Sequence, residues 1–471
     1  MRIPFIGGSH ESRSLNANAQ RTVNMYTEID QTGKNTMALY GTPGLKPFAT
    51  LSNATVPVRG LCRMGDYLYA VAGNTLYKVS SAGVVATVGN VNAGAGLVSM
   101  ATNGSQLMIV DGATAYLSNG VTVSIQVVPA ANPVSVCYSD SYFIIVDGGS
   151  QRYYISGNYN GAAWDPLDFA SAEGSPYKLV SMCALHRELW AFGEQSTEVF
   201  YNAGSADFPF ERVNGAFIDT GLAAARSVAT LDNSVFWLAR TSRGGGQIVR
   251  AQGYTPAIVS NRAVEQAIGA MSTTSDAIGW AYVQNGHAFY VITFPSGGRT
   301  YVYDASIADP ELAWHERDTY GLAQYRPNAY CYFGSVQVVG GFDSAALYVL
   351  DPDTYTDGGL PIVRTRTGQY IHAERARVFY HSFEIDVEAG VGLSTGQGAD
   401  PQIWLDWSDD GGHTWSNQLS RSLGAQGQTQ QRVRWSKLGS ARSRLFRVGV
   451  SDPVKIALLD GYVEMTASGA P

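Results

Sequence analysis

Residues 137–154 read CYSDSYFIIVDGGSQRYY. The stretch holds a small residue, an apolar run that begins six positions later, a turn rich in aspartate and glycine, and a second run that ends in a tyrosine pair. Short apolar runs between turn residues are typical of buried strands. The stretch therefore predicts one antiparallel hairpin of a larger β-sheet structure.

The same pattern occurs seven times in the chain. Its small first residue, here called the anchor, is found at Cys62, Ala101, Cys137, Cys183, Ala229, Val283 and Cys331. The anchors are 36 to 54 residues apart, which is the length of the four short strands in one blade of a β-propeller. One blade cannot bury both of its faces, so the copies must stack. Residues 56–360 therefore predict an irregular β-propeller of six or seven blades.

The two ends of the chain lie outside the repeats. Residues 1–55 contain one strand-like run around Val23, which we expect to join another sheet. Residues 361–471 contain strands in which apolar and polar residues alternate, and this alternation indicates sheets with one solvent-exposed face. The sequence thus predicts an all-β protein of three parts: an N-terminal segment over 1–55, the propeller over 56–360, and a β-sandwich platform over 361–471 that the N-terminal strand joins.

Composition supports this class. Hydrophobic residues make up 45% of the 471 residues and charged residues only 15%, with 52 glycines and 27 tyrosines. That mixture suits many short strands and tight turns rather than helices or disorder. One short helix is predicted over 261–268, where apolar residues fall at 263, 264, 267 and 268.

The charge distribution argues against tight binding of nucleic acid. The net charge is −7; residues 1–360 hold 20 basic and 28 acidic side chains, and residues 361–471 hold 12 and 11. A local run of arginines occupies positions 432, 434, 442, 444 and 447, which we interpret as a solvated, partner-facing surface, with a phosphate clamp as the alternative. The sequence has no apolar run of membrane-span length and no export signal at its start, so we expect a chain made in a cytosol.

Four anchors are cysteines: Cys62, Cys137, Cys183 and Cys331. Equivalent positions of different blades lie around a ring, so we expect these thiols to be buried and too far apart to form disulfides. A metal site is the alternative, although the sequence has no CxxC pair and no histidine at ligand spacing.

Residues 408–415, SDDGGHTW, match the Asp-box SxDxGxTW of sialidases and related propellers. We interpret the motif as a hairpin turn in which the Asp410 side chain caps backbone N–H groups and Trp415 packs beneath. Glycan hydrolysis is the alternative, and it would need an arginine cluster and a Tyr/Glu pair as well.

Two further motifs resemble a serine-hydrolase string and a calcium loop. Residues 392–396 fit the GxSxG string of serine hydrolases, but they lie in a predicted loop rather than at a strand-to-helix elbow. Asp351, Asp353 and Asp357 resemble half a calcium loop; we expect a solvated turn, and whether they bind an ion stays open. We predict no catalytic, cofactor-binding or metal-binding residues and therefore no enzyme.

Several phrases together resemble one family. With both ends flanking the repeats, nearly the whole chain is similar to the tail hub, or nozzle, proteins of short-tailed bacteriophages, often called packaged-DNA stabilisation proteins. The phrases that carry the resemblance are QRTVNMYTE at 20–28, GTPGL at 41–45, SDDGG at 408–412, RWSKLG at 434–439 and FRV at 446–448.

The resemblance implies a structural role in the virion. Such a protein would form a homo-hexamer below the portal and adaptor rings, extend the DNA channel, retain packaged DNA, and anchor a tail needle or plug and tailspikes or fibres. It would be assembled in the bacterial host cytoplasm, and duplex DNA would pass through without tight binding. An acidic chain suits such a channel, because each phosphate that lysine or arginine neutralises adds to binding.

A receptor-binding or glycan-binding, sialidase-like propeller is the alternative function. It would share the fold and the Asp-box, and fold alone does not determine function. A scaffold of the WD-repeat type is disfavoured, because its Trp-Asp strand endings are missing.

Overall fold

Antiparallel β-sheet dominates the computed structural model, which describes residues 1–30, 36–205, 207–241, 244–374 and 376–468. The chain begins with six strands that are shared among three sheets. These are β1 (Arg2–Ile3), β2 (His10–Glu11), β3 (Ala19–Val23), β4 (Met25–Ile29), β5 (Met37–Gly41) and β6 (Gly44–Thr50).

The first four repeats each fold into a sheet of four consecutive antiparallel strands. The first two sheets consist of β7 (Val58–Met64), β8 (Tyr67–Ala72), β9 (Thr75–Val79) and β10 (Val85–Asn90), then β11 (Ser99–Thr102), β12 (Leu107–Val110), β13 (Ala115–Ser118) and β14 (Val123–Gln126). The next two consist of β15 (Pro133–Ser139), β16 (Tyr142–Asp147), β17 (Arg152–Gly157) and β18 (Asn160–Ser171), then β19 (Leu179–Leu185), β20 (Glu188–Gly193), β21 (Thr197–Asn202) and β22 (Phe210–Ile218).

The fifth and sixth repeats are separated by a helix. The fifth sheet contains β23 (Gly221–Leu222), β24 (Ala229–Leu231), β25 (Ser234–Thr241), β26 (Gly244–Gln252) and β27 (Thr255–Ile258), and α1 (Arg262–Gly269) follows. The side chain of Asn261 caps this helix by accepting a 3.0 Å hydrogen bond from Val264 N, so the predicted helix is confirmed within one residue. The sixth unit contains β28 (Ile278–Gln284), β29 (His287–Phe294), β30 (Arg299–Asp304) and β31 (Trp314–Arg317).

The last blade is completed by a strand from the start of the chain. It contains β32 (Pro327–Phe333), β33 (Val336–Gly341), β34 (Ala346–Asp351), β35 (Thr356–Asp357) and β36 (Leu360–Pro361). Strand β6 pairs antiparallel with β34, placing Leu45 opposite Leu350. Residues 44–50 belong to the predicted N-terminal segment 1–55, but they lie in the propeller sheet.

Hydrophobic clusters join each of these units to the next and close the ring between the last blade and the first. Within the described residues, six blades are sheets of their own, separate from the sandwich. The β28–β31 unit completes the ring between the fifth sheet and the last blade, and it is one end of a larger sheet that continues into the sandwich. The predicted all-β propeller is therefore confirmed, and the six-or-seven ambiguity reflects this shared unit.

The C-terminal strands form the predicted β-sandwich. They are β37 (Arg364–Thr367), β38 (Ile371–His372), β39 (Val378–Val387), β40 (Gln402–Ser408), β41 (Leu419–Ser422), β42 (Val433–Ser436), β43 (Ser440–Ala441), β44 (Ser443–Val450) and β45 (Ala457–Ala467). One layer runs β4-β5-β45-β39-β42, with β1 paired to β45. Phe383 of this layer stacks on Phe446 of the other at 4.7 Å between ring centroids, in a core that also buries Phe5 and Met25.

The other layer of the sandwich is continuous with the propeller. Its strand order is β28-β29-β30-β31-β3-β37-β44-β40-β41, so β3 lies between a propeller strand and a sandwich strand. The turn after β3 reinforces this position, because Asn24 N donates a 2.8 Å hydrogen bond to Glu316 O and Asn24 Nδ2 donates to Val363 O at 2.9 Å. None of the described helices is long and apolar enough to cross a membrane.

Candidate assembly surfaces and central cavity

The N-terminal arm is held to the sandwich by Arg366 on β37. Its guanidinium is fully buried and donates to Phe5 O, Gly8 O, Thr22 Oγ1 and Gln20 Oε1, at distances of 2.7 to 2.8 Å. Since no described carboxylate pairs with it, burial lowers its pKa to about 9. One side chain therefore connects several points of the arm.

A second cluster of buried arginines lies where the last blade meets β31 and β37. Arg317 and Arg364 are 2% and 1% exposed, and in each the Nε and Nη1 atoms have no hydrogen-bond partner among the described residues. Asp357 faces both of them and Arg326, and it accepts a 3.0 Å hydrogen bond from Thr319 Oγ1. Burial nevertheless raises the pKa of Asp357 to about 6.

This position corrects part of the proposed aspartate turn. Asp351 does form a turn, accepting hydrogen bonds from Asp353 N at 3.1 Å and Thr354 Oγ1 at 3.0 Å. Asp357, in contrast, is 2% exposed and points into the arginine cluster rather than into solvent. The three carboxylates therefore do not share one solvated site.

The Asp-box forms the predicted turn. Asp410 accepts hydrogen bonds from His413 N at 3.1 Å, Thr414 N at 2.9 Å, Thr414 Oγ1 at 2.6 Å and Ser408 Oγ at 2.7 Å. These donors hold the pKa of the Asp410 carboxyl well below its usual range. The carboxylate thus accepts all four hydrogen bonds from its own hairpin. The guanidinium of Arg447 lies over the Trp415 ring, 3.9 Å from the ring centroid.

The C-terminal arginines are largely neutralised within the domain. Arg432 pairs with Glu384, Arg434 with Glu464, Arg444 with Asp409 and Arg447 with Asp406, at distances of 2.6 to 2.7 Å. The predicted solvated surface is wrong for Arg444, because its side chain is 2% exposed and contacts the rings of Tyr380 and Trp407. Four of the five arginines therefore form ion pairs within the domain, and Arg432, Arg434 and Arg442 remain exposed to solvent.

The four cysteines occupy equivalent positions on the first strands of their blades. Each lies opposite an apolar residue of the second strand: Tyr69, Ile144, Trp190 and Val338. All four cysteines are free and half-buried. The expectation that they are fully buried is therefore wrong. Burial still raises the thiol pKa, to about 12 for Cys62 and Cys137 and to about 11 for Cys331.

No disulfide joins these four cysteines, although neighbouring thiols influence one another. Cys331 on the last blade contributes to the raised pKa of Cys62 on the first, and Cys137 contributes to that of Cys183 on the next blade. Two pairs of thiols from adjacent blades are therefore close enough to interact electrostatically, because adjacent first strands converge toward the axis of the ring.

These first strands enclose a cavity of about 320 Å³ on the propeller axis. Two arginines line it: Arg59 and Arg226. Arg59 donates to Gly96 O, Gly73 O and Asn92 O, each at 2.7 Å, and Arg226 Nη2 donates to Leu97 O at 3.1 Å and Val134 O at 3.3 Å. No acidic side chain is among the described residues that line the cavity.

The sequence has no motif that marks these buried arginines as functional candidates. Arg59 precedes the first anchor, and Arg366 lies in an alternating strand, but neither stands in a recognisable motif. Residues 392–396 lie in an irregular loop, as predicted, and have no strand-to-helix elbow. The only sequence signal of the cavity is the repeat itself, since the first strands of a propeller surround its axis.

Two family models match the chain. One, described as "Bacteriophage P22 Gp10, beta-propeller", matches residues 1–355, and the other, described as "Bacteriophage P22 Gp10, beta-sandwich", matches residues 364–466. No curated protein matches the sequence.

Solved structures with some similarity to this chain include the following three. The WD40 β-propeller domain of Doa1 is 11% identical, with a TM-score of 0.41 over 65% of this chain and 96% of that one. The N-terminal domain of Nup159 is 9% identical, with a TM-score of 0.40 over 70% and 98%. PorZ of the Porphyromonas gingivalis type-IX secretion system is 12% identical, with a TM-score of 0.39 over 81% and 46%.

Proposed function

The chain belongs to the bacteriophage P22 Gp10 family, and from that premise we propose that it is the hub of a short phage tail, ring-shaped and placed below the portal and adaptor. The family is one of structural phage tail proteins and not of enzymes, which makes the chain a virion component. The observation that carries the proposal is the family match over 1–355 and 364–466, which covers both the propeller and the sandwich.

We propose a homo-hexamer whose DNA channel lies between subunits. The cavity on the propeller axis, at about 320 Å³, has room for on the order of ten water molecules at about 30 Å³ each. It cannot admit B-DNA, whose major groove alone is about 12 Å wide. A channel for duplex DNA therefore requires several copies around a common axis, as closed cyclic symmetry provides.

The electrostatics support passage of DNA without tight binding. The net charge is −7, and four arginines of the C-terminal domain, at 432, 434, 444 and 447, pair with carboxylates of the same domain. These pairs reduce the number of cations that can neutralise phosphates and release counterions. A channel that retains DNA under these conditions does so by its width and by a plug rather than by adhesion.

We assign the roles of partner binding to the three parts of the chain. The platform of residues 361–471, joined by the arm strands β1, β4 and β5, docks on the adaptor ring and neighbouring subunits. The propeller, which β6 completes, surrounds the channel and offers attachment for a needle or plug and for tailspikes or fibres. Support comes from the arm strands β1, β4 and β5, which pair within the sandwich layer and make the two ends of the chain one unit.

The test is made on phage particles. Particles assembled without the chain should package DNA and then lose it to added nuclease, and supply of the full-length chain should restore retention. Particles that keep their genome without the chain would contradict the hub proposal.

A second measurement addresses the ring and DNA directly. Native mass spectrometry of the purified chain with its adaptor ring should give six copies per ring. Binding of the chain to duplex DNA should be weak and should show a shallow dependence on salt, whereas a steep salt slope would contradict a non-adhesive channel.

A further inference from the structure

The cavity on the propeller axis has a chemistry that the tail-hub role does not require. Its polar lining consists of arginine, serine, asparagine, tyrosine, cysteine and tryptophan side chains, together with backbone groups. We propose that this cavity binds a small inorganic oxyanion of the phosphate or sulfate type, held by Arg226.

Arg226 reaches across the axis from the fifth repeat. Its Nη2 atom donates to Leu97 O, just before β11, and to Val134 O on β15, so one side chain contacts the second and third blades. Both of these hydrogen bonds come from Nη2, and the residue is half-buried at the cavity. A guanidinium has five N–H groups, so Nε and Nη1 can donate to a ligand within the cavity.

The charge of Arg226 is not balanced by the protein. No described carboxylate forms an ion pair with it, and none lines the cavity. Burial without a counterion lowers its pKa to about 10. A cation removed from water is costly unless it is paired, so an anion from solution would offset that cost.

Trp280 provides an independent sign of a missing acceptor. The residue lines the same cavity, is 5% exposed, and its Nε1–H has no hydrogen-bond partner among the described residues. The main-chain bridge between Arg226 and Ile278 places the two donors on adjacent segments. The buried, unpartnered N–H of Trp280 and the guanidinium of Arg226 match the several acceptor oxygens of an oxyanion.

The size of the cavity selects a free ion. A volume of about 320 Å³ accommodates one oxyanion with several waters, at about 30 Å³ per water. A phosphate within duplex DNA cannot enter, because the double helix would have to enter with it. The bound anion would link the second, third and fifth repeats through Arg226 and stabilise the closed ring.

The first experiment compares melting temperatures in phosphate and in chloride at equal ionic strength. For the full-length protein we expect a rise of about 2–5 °C at phosphate about 100 times its Kd. Arg226→Met should abolish the rise. The matched control is Arg187→Met, which removes an exposed arginine paired with Asp140 and should keep it. An equal rise in all three proteins would mean a general salt effect and would overturn the proposal.

A second experiment does not depend on the folding of the variant. Crystals of the wild-type protein grown with selenate should show anomalous density beside Arg226, and isothermal titration with phosphate should give one site per chain. An empty cavity in selenate would overturn the proposal. A short DNA duplex should neither bind at the site nor displace phosphate; displacement would assign the cavity to nucleic-acid phosphate and contradict the free-ion proposal. Both tests are independent of genome retention, so the tail-hub proposal stands or falls separately.

Discussion

At the scale of single residues, this fold uses buried arginines as connectors that bind backbone oxygens. Arg59, Arg226 and Arg366 donate to carbonyls of other segments and have no described carboxylate partner. A guanidinium offers five N–H groups, so one side chain can satisfy several carbonyls that no strand neighbour satisfies. The cost is a desolvated charge, visible in the lowered pKa of each of the three.

Asp357 gives a pH-dependent prediction at this scale. Its pKa is near 3.9 in an unfolded chain and about 6 in the folded protein, so the folded state binds the proton more tightly. Its contribution to stability is therefore present below about pH 4 and is lost as the pH rises through 6. Relative to Asp357→Asn, the wild type should lose up to about 3 kcal/mol of unfolding free energy between pH 4 and 7. Denaturant titrations at several pH values measure this, with the exposed Asp353→Asn as control; parallel curves for wild type and Asp357→Asn would refute it.

Asp410 predicts the opposite pH dependence. Its carboxylate accepts four hydrogen bonds within the Asp-box, which depress its pKa in the folded state. Stability from this group is present above its unfolded value of about 3.9 and is lost as the pH falls. Asp410→Ala should lower the melting temperature at pH 7, and the difference should shrink below about pH 4. The control is Asp66→Asn on an exposed turn. Hydrolysis of a sialoside by the wild type, lost in Asp410→Ala, would instead support the glycan-active alternative.

At the scale of elements, the strands that decide closure come from the far end of the chain. Strand β6 completes the last blade, and β3 joins the propeller to the sandwich. Antiparallel pairing of β6 with β34 satisfies an edge that would otherwise be open to another chain. The last blade is thus held to residues 44–50 by backbone hydrogen bonds and by the burial of Leu45.

Closure of the ring can be weakened by one substitution in β6. Leu45 is fully buried against residues of the β28–β31 unit and the last blade, so Leu45→Ala should destabilise the protein by about 2–5 kcal/mol. Its neighbour Lys46 is mostly exposed and pairs with Asp351 at 3.4 Å, so Lys46→Ala should cost under about 1 kcal/mol. Equilibrium unfolding monitored by tryptophan fluorescence compares the two. Equal effects would show that β6 does not secure the ring.

At the scale of the whole molecule, the propeller and the sandwich are one continuous structure. The strand path from β28 to β41 crosses from one to the other through β3 and β37. Removing residues 361–471 would therefore strip β37 from β3 and delete Arg364 from the buried arginine cluster. Point variants at the junction test its role more cleanly than truncations do, since they leave the propeller sheet covered.

Continuity of the sheet predicts a single unfolding transition. Arg366→Met would leave the acceptors on Phe5, Gly8 and Gln20 without their donor, which should cost about 3–5 kcal/mol and lower the whole transition. Arg2→Met removes an exposed arginine that pairs with Asp460 and should cost under about 1 kcal/mol. Differential scanning calorimetry checks both. Two well-separated transitions in the wild type would contradict the coupling of propeller and sandwich.

The sequence by itself determined the repeated hairpins, the propeller class, the short helix and the Asp-box turn, because each depends on neighbours within about 50 residues, where periodicity and turn chemistry are legible. The tertiary structure alone decided that β6 closes the last blade, that Asp357 is buried among arginines, that Arg444 is internal, and that Arg59 and Arg226 meet at one cavity. Those partners lie up to several hundred residues apart. A buried ion pair and a solvated one use the same residue types, so only the packing of distant strands distinguishes them.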